Sequence, residues 1–262
     1  MKKVFLLVLI SLTIISCNST KDKFSINNKE QARLLKERAL ILYKAGELPG
    51  AYKEALIANK IDPKDPEIYN LLGLIELKQK HYKEALIYFK NAIKIDKNYS
   101  ESLNNIGSIY LIEGKIDKAI QYFKKALNNP LYQNNYIAFT NLAYAFYLRG
   151  DYNKALDYLD KALHYNPRYY LAYFYRGLML FNQGKWKEAL LYFKRAVRFN
   201  RKDMQSRYYL AITYFRLGNE NIAIKILHSI TELDPDSIWA LKAEQMLIFL
   251  ENDSSPKEQR KY

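Results

Sequence analysis

The stretch Ser100–Ala126, SESLNNIGSIYLIEGKIDKAIQYFKKA, decides the fold. Leu103, Ile106, Gly107 and Tyr110 recur at helical spacing on one face of a first short helix, and Ala119, Ile120, Phe123 and Ala126 do the same in a second. Gly114 punctuates the two. Gly107 and Ala119 lack bulk where the helices must approach, while Tyr110 and Phe123 are large enough to fill the space beside them. This predicts an αα-hairpin. A single hairpin of this size cannot bury its apolar face alone, so its neighbours in the chain must supply the rest of the core.

The unit repeats. The small residue of the second helix recurs at Ala51, Ala85, Ala119, Ala155, Ala189 and Ala223, with gaps of 34, 34, 36, 34 and 34 residues. Two further series keep step: Ala39, Gly73, Gly107, Ala143, Gly177, Ala211, and Ala58, Ala92, Ala126, Ala162, Ala196, Ile230. The pattern resembles the tetratricopeptide repeat, a helix-turn-helix unit of 34 residues with small residues at these offsets and a closing proline. Pro63, Pro167 and Pro235 match that proline, whereas Lys97, Leu131 and Arg201 depart from it. The early Trp of the family is replaced by Leu35, Tyr69, Leu103, Phe139, Tyr173 and Arg207. The expected fold is all-α, a right-handed superhelical solenoid with six repeats over about 32–65, 66–99, 100–133, 136–169, 170–203 and 204–237. A capping helix over 238–250 and a polar tail over 251–262 follow. Asn128–Asn135 reads as a lengthened loop between the third and fourth repeats.

The N-terminus carries a different signal. Met1-Lys2-Lys3 precedes an apolar run from Val4 to Ile15 that is shorter than the ~20 residues needed to span a bilayer, which suits a signal peptide over 1–16. Ile14-Ile15-Ser16-Cys17 resembles the bacterial lipobox, in which the cysteine is acylated and becomes the new N-terminus. Cys17 is the single cysteine, so an intrachain disulfide is excluded and no second cysteine exists to hold a metal. Asn18 follows it, where an Asp commonly signals retention at the inner membrane. The expected location is the periplasmic face of the outer membrane. Residues 17–30 read as a lipidated polar tether ahead of a single solenoid over 31–250.

The formal net charge is +14, and lysine is spread over every repeat, which predicts a generally basic surface with no nucleic-acid site. The three histidines, His81, His164 and His228, lie in three different repeats. No phosphate loop, HExxH or calcium-loop pattern occurs, and Asp157 and Asp160 read as solvated charge. The expectation is a protein without enzymatic activity, metal or cofactor other than the lipid on Cys17.

Binding is better represented. The resemblance implies that the first helix of each repeat lines a concave face, with positions 2, 5, 9 and 12 pointing into it. Those positions carry Asn70, Asn104, Ser108, Thr140 and Tyr144 in the middle of the chain. Tyr147, Phe174, Leu178, Phe181, Tyr208, Ile212 and Phe215 follow toward the C-terminus. A contiguous aromatic groove suits a bound protein segment. Asn70 and Asn104 resemble asparagines that hold a peptide backbone in such repeats, but the lysine-based carboxylate clamp of chaperone-binding members is not reproduced.

A lipobox, a short tether, six repeats and a cap are together similar to the PilF/PilW/Tgl family of outer-membrane lipoproteins of type IV pilus systems. LNNIG at Leu103–Gly107 and the Pro130-Leu131-Tyr132 junction are the more particular points of likeness. The resemblance implies a pilotin that assists localisation or multimerisation of a secretin, with a secretin subunit as partner and the membrane reached through the lipid. Two other readings stay open: a general periplasmic scaffold for peptidoglycan or outer-membrane assembly factors, and a basic solenoid that binds anionic glycan or lipid.

Overall fold

The computed structural model describes residues 28–253, and these residues form α-helices and turns with no strand. The chain divides into two compact units, the first ending at Pro130 and the second beginning at Leu131, within the loop that the sequence marks as lengthened. The first unit holds α1 (28–45), α2 (Leu48–Ile61), α3 (Pro66–Lys78), α4 (Tyr82–Ile95), α5 (Ser100–Ile112) and α6 (Ile116–Leu127). The second holds α7 (Asn135–Leu148), α8 (Tyr152–Tyr165), α9 (Tyr170–Asn182), α10 (Trp186–Phe199), α11 (Met204–Arg216), α12 (Glu220–Leu233) and α13 (Ile238–Asp253). Consecutive helices pair as hairpins, and each hairpin stacks on the next within its unit. Both units are tetratricopeptide-type helical stacks. The sequence reading has one solenoid over 31–250, whereas the fold groups three hairpins on either side of the junction.

Each hairpin turn closes in the same way. Gly46, Gly114, Gly150, Gly184 and Gly218 have φ of +71° to +87°, the left-handed conformation that ends a helix without a Cβ penalty. Around Gly114 the Lys115 amide donates to the Tyr110 carbonyl at 2.8 Å and the Gly114 amide to Leu111 at 3.0 Å, so two otherwise unpaired carbonyls of α5 are satisfied. In the second hairpin Lys80 takes that conformation at φ 65°.

The small residues predicted for the helix contact are confirmed, and their partners are specific. Gly73, Gly107 and Gly177 each lie against a phenylalanine ring of the second helix, Phe89, Phe123 and Phe193, so close that a Cβ would fall 2.5–2.9 Å from the nearest ring carbon. All three rings are fully buried. Where the first helix carries Ala143 or Ala211, the corresponding second-helix residue is the smaller Leu159 or Leu227; Ala39 has Ala55 there. Size is thus exchanged across the contact in five of the six hairpins, and the Ala39–Ala55 pair of the first is small on both sides.

Polar links join successive hairpins. Lys36 of α1 bridges Asp65 at 2.7 Å and Glu67 at 2.6 Å. Asp65 also caps α3, its Oδ1 accepting from the Glu67 amide at 2.8 Å, with Pro66 at the first helical position. Within the third hairpin, the Ser100 hydroxyl of α5 donates to the Ala126 carbonyl of α6 at 2.9 Å.

Both ends of the stack differ from expectation. α1 starts at 28, inside the segment read as tether, because Ala32 is buried and Arg33 pairs with Glu30 and Glu37 along the helix. α13 continues to Asp253, beyond the expected end at 250. It packs Ala243, Leu247 and Leu250 onto the α11–α12 core, while Ile238, Leu241, Ile248 and Phe249 stay about half exposed. No described helix is long and apolar enough to cross a membrane. Residues 1–27 and 254–262, including the segment read as a signal peptide, Cys17 and most of the segment read as a polar tail, lie outside the described residues.

Candidate functional site

In the first unit the expected polar groove residues are committed to the fold. Asn70 on α3 is buried, and its Oδ1 accepts from the Ser102 hydroxyl at 2.9 Å and from the Asn105 amide nitrogen at 3.0 Å, both on α5. Asn104 is also buried, and its carbonyl accepts from the Ser108 hydroxyl at 3.1 Å. Asn70 and Asn104 therefore do not present open side chains to a peptide. Asn70 holds consecutive first helices in register, since a buried amide must find partners inside the protein.

The second unit divides its predicted residues into two sets. Thr140 has no exposure and donates to the Tyr136 carbonyl at 2.9 Å, and Phe174, 1% exposed, is packed against Phe193 and Tyr209 with ring centroids 5.9 and 5.5 Å away. Both are core residues, which corrects their assignment to the groove. Position 5 of the repeat is covered at these two residues, whereas Tyr208 at the same position is only half-buried.

The remaining aromatics do form a surface. Tyr144 stacks on Tyr175 of α9 at 4.6 Å with 23° between planes, and lies 6.2 Å from Tyr147. Asn182 donates through Nδ2 to the Tyr147 hydroxyl. Tyr208 stands 6.0 Å from Tyr209 and 5.6 Å from Trp239, and Phe215 meets Phe249 of α13 edge-on at 6.3 Å. Leu178 and Phe181 are partly buried against the Phe174–Phe193 cluster, and Ile212 is half-buried. Tyr175, Tyr209 and Trp239 belong to this surface although the family offsets pass over them. Their signal was available one position on from Phe174 and Tyr208, where the 34-residue period brings Tyr175 and Tyr209 into line.

Burial holds the phenols of Tyr144, Tyr175, Tyr208 and Tyr209 above the ordinary tyrosine range, and the proximity of Tyr144 and Tyr147 adds to the effect on Tyr209. These phenols are neutral at physiological pH. A cluster of half-buried neutral phenols offers broad apolar faces with hydroxyl donors at their edges, the chemistry that recurs where proteins hold other protein segments.

The three histidines lie apart from one another. His81 Nδ1 lies 2.8 Å from the buried Glu76 carboxylate, the His164 ring lies 5.5 Å from that of Tyr165, and His228 is exposed on α12. Asp160 pairs with Arg176, while Asp157 is exposed. Among the described residues no group of three or more His, Cys, Asp or Glu could hold a metal ion. A cleft lined by Tyr152, Met179, Gln183 and Tyr192 measures about 230 Å³, one at the Arg149–Asn153 turn about 480 Å³ and one beside Arg201, Met204, Arg207 and Leu233 about 380 Å³, and none of the three is lined by a histidine or a cysteine.

Comparison with known proteins agrees with this architecture. Three tetratricopeptide-repeat profiles match residues 64–130, 140–206 and 180–244. No curated protein sequence is found to match. Among solved structures, PilF of Pseudomonas aeruginosa superposes with a TM-score of 0.67 at 17% identity, covering 84% of this chain and 99% of its own. PilW, a widely conserved type IV pilus biogenesis factor, gives 0.68 at 22% identity, covering 80% and 97%. A chain of the anaphase-promoting-complex assembly Cut9–Hcn1 gives 0.73 at 15% identity, with 83% of this chain on 42% of that one. At such identities the likeness is one of fold, and with the repeat profiles spanning most of the described residues, the chain belongs to the tetratricopeptide-repeat family.

Proposed function

We propose that this chain is a lipid-anchored, non-enzymatic scaffold that binds a protein segment on the tyrosine face of its second unit and serves a type IV pilus secretin as its pilotin. The observation that carries the binding role is the row Tyr144–Tyr175 and Tyr208–Tyr209–Trp239, a set of half-buried aromatic rings in contact on one side of the second unit. The pilus assignment is supported by the likeness to PilF and PilW over nearly the full length of both. The lipobox ending at Cys17 supports attachment at the periplasmic face of the outer membrane.

In this reading the mechanism is positioning. Two or more lipid chains on Cys17 give stable membrane residence. A client segment held on the tyrosine face then meets other clients at raised local concentration, which favours assembly without any covalent step. Affinity purification of the full-length protein from gently solubilised envelopes, with a deletion strain assayed for secretin multimers, tests it. Co-purification of a secretin with loss of multimers on deletion is expected. Unaltered multimers with cell-wall or outer-membrane assembly proteins as partners would replace the pilotin with the general scaffold.

A further inference from the structure

The basic charge is not evenly placed once the helices are built. Residues 170–203 carry eight Lys and Arg against Glu188 and Asp203, an excess of six out of the net +14. Lys187, Lys194, Arg195, Arg198, Arg201 and Lys202 are all exposed on α10 or the turn after it, and among the described residues none of the six forms an ion pair. Lys187, Leu191, Lys194 and Arg198 follow one line along α10 at steps of four, three and four residues, about 17 Å long at 1.5 Å per residue. Leu191 sits in the middle of that line and is 51% exposed.

The flanking second helices lack this feature. On α8 the equivalent positions hold Asn153, Asp157, Asp160 and His164, and on α12 they hold Asn221, Lys225, His228 and Glu232. In the first unit α4 repeats the series as Lys83, Ile87, Lys90 and Lys94, with Glu84 where α10 has Glu188, but Asn91, Asp96 and Asn98 stand where the α10 hairpin carries Arg195, Asn200 and Lys202, and the excess of that hairpin is only two. The strongest positive ridge of the described chain is therefore the outer face of α10. It lies on a second helix, whereas the tyrosine face is built from first helices and α13.

We propose that the outer face of α10 rests on an anionic lipid surface, as a contact additional to any lipid on Cys17. A straight ridge without a groove suits a plane of phosphate headgroups better than an extended peptide, which needs a channel for alternate side chains. Lysines and arginines bracketing one exposed leucine are the arrangement with which interfacial helices combine headgroup attraction and shallow apolar insertion. The contact leaves the tyrosine face free for a client. It stands independently of the pilotin reading, because it requires no secretin.

The test is sedimentation of the chain from residue 17 onward carrying Cys17→Ser, so that neither the apolar leader nor acylation contributes, with vesicles of phosphatidylcholine with and without phosphatidylglycerol. Binding to the anionic vesicles alone, lost at high salt, is expected. Lys187→Gln/Lys194→Gln/Arg198→Gln lowers that binding about a hundredfold, each charge contributing about fivefold near such a surface. Lys44→Gln/Lys161→Gln/Lys225→Gln removes the same charge from exposed sites off the ridge and is expected to change it by less than about fivefold. Circular dichroism of both triple variants confirms that the fold is kept. Equal losses in the two variants would overturn the proposal, as would binding to neutral vesicles alone. Capture of poly-glutamate without vesicle binding would also overturn it and assign the ridge to an acidic protein.

Discussion

Gly107→Ala is the most informative single substitution in this protein. The new Cβ would lie 2.6 Å from Cε1, 2.7 Å from Cδ1 and 3.1 Å from Cζ of Phe123. Carbon atoms meet comfortably at about 3.5–4.0 Å, so the ring must retreat by about 1 Å. Phe123 has no exposure and nowhere to swing. Overpacking of this kind costs up to about 3 kcal/mol, and the better helix propensity of alanine returns about 1 kcal/mol, leaving a net loss of about 2 kcal/mol. Phe123→Leu alone removes three ring carbons beside a glycine and costs about 2 kcal/mol. The double variant recreates the combination found at the equivalent positions Ala143 and Leu159, both fully buried, so the second change should be almost free once the first is made. Urea unfolding of the four proteins, followed by circular dichroism, should give a coupling of about 2 kcal/mol, against the roughly 0.5 kcal/mol within which independent sites add. Additive losses would refute the compensation argument, and so would a stabilised Gly107→Ala, which would mean that propensity outweighs the contact.

Phe174→Ala should lower stability by about 3–5 kcal/mol because the ring is a core residue, whereas Tyr208→Ala should lower it by far less and weaken client binding; urea unfolding beside a pull-down separates the two. Asp65→Ala removes the α3 cap and a partner of Lys36 and should cost about 1–2 kcal/mol, seen as faster amide exchange at the start of α3. The phenols of Tyr144, Tyr175 and Tyr209 are raised in the folded state relative to about 10 when unfolded, so the unfolded chain loses its protons first on the alkaline side. Their contribution to stability is complete below pH of about 10 and declines as pH rises through the folded values, which a urea midpoint measured at successive alkaline pH values will show together with delayed phenolate absorbance.

The hairpins were legible because three series of small residues recur in step, and close helix approach leaves few alternatives to glycine and alanine at such points. The turns were legible for a similar reason, since a left-handed residue after each first helix selects glycine, with Lys80 the exception. Depth of burial was not. Position 5 of the repeat reads as groove-facing by family offset, yet Asn70, Asn104, Thr140 and Phe174 are all covered. Periodicity gives the direction of a side chain around its own helix and says nothing of how far the neighbouring hairpin overlaps it. The charge ridge escaped for the opposite reason: lysines counted along the chain look dispersed, and only the turn of α10 brings Lys187, Lys194 and Arg198 to one side.

The matched sizes across five of the six helix contacts bear on how such a chain can be recombined. A first helix carrying Gly73, Gly107 or Gly177, joined to the second helix of a leucine-bearing hairpin, would face a hole, and the reverse chimera would force an alanine Cβ into a phenylalanine ring. The smallest part that can be transplanted intact is accordingly the hairpin with its glycine turn. Crossovers placed between hairpins should yield folded hybrids, and crossovers placed at the turns inside them should not.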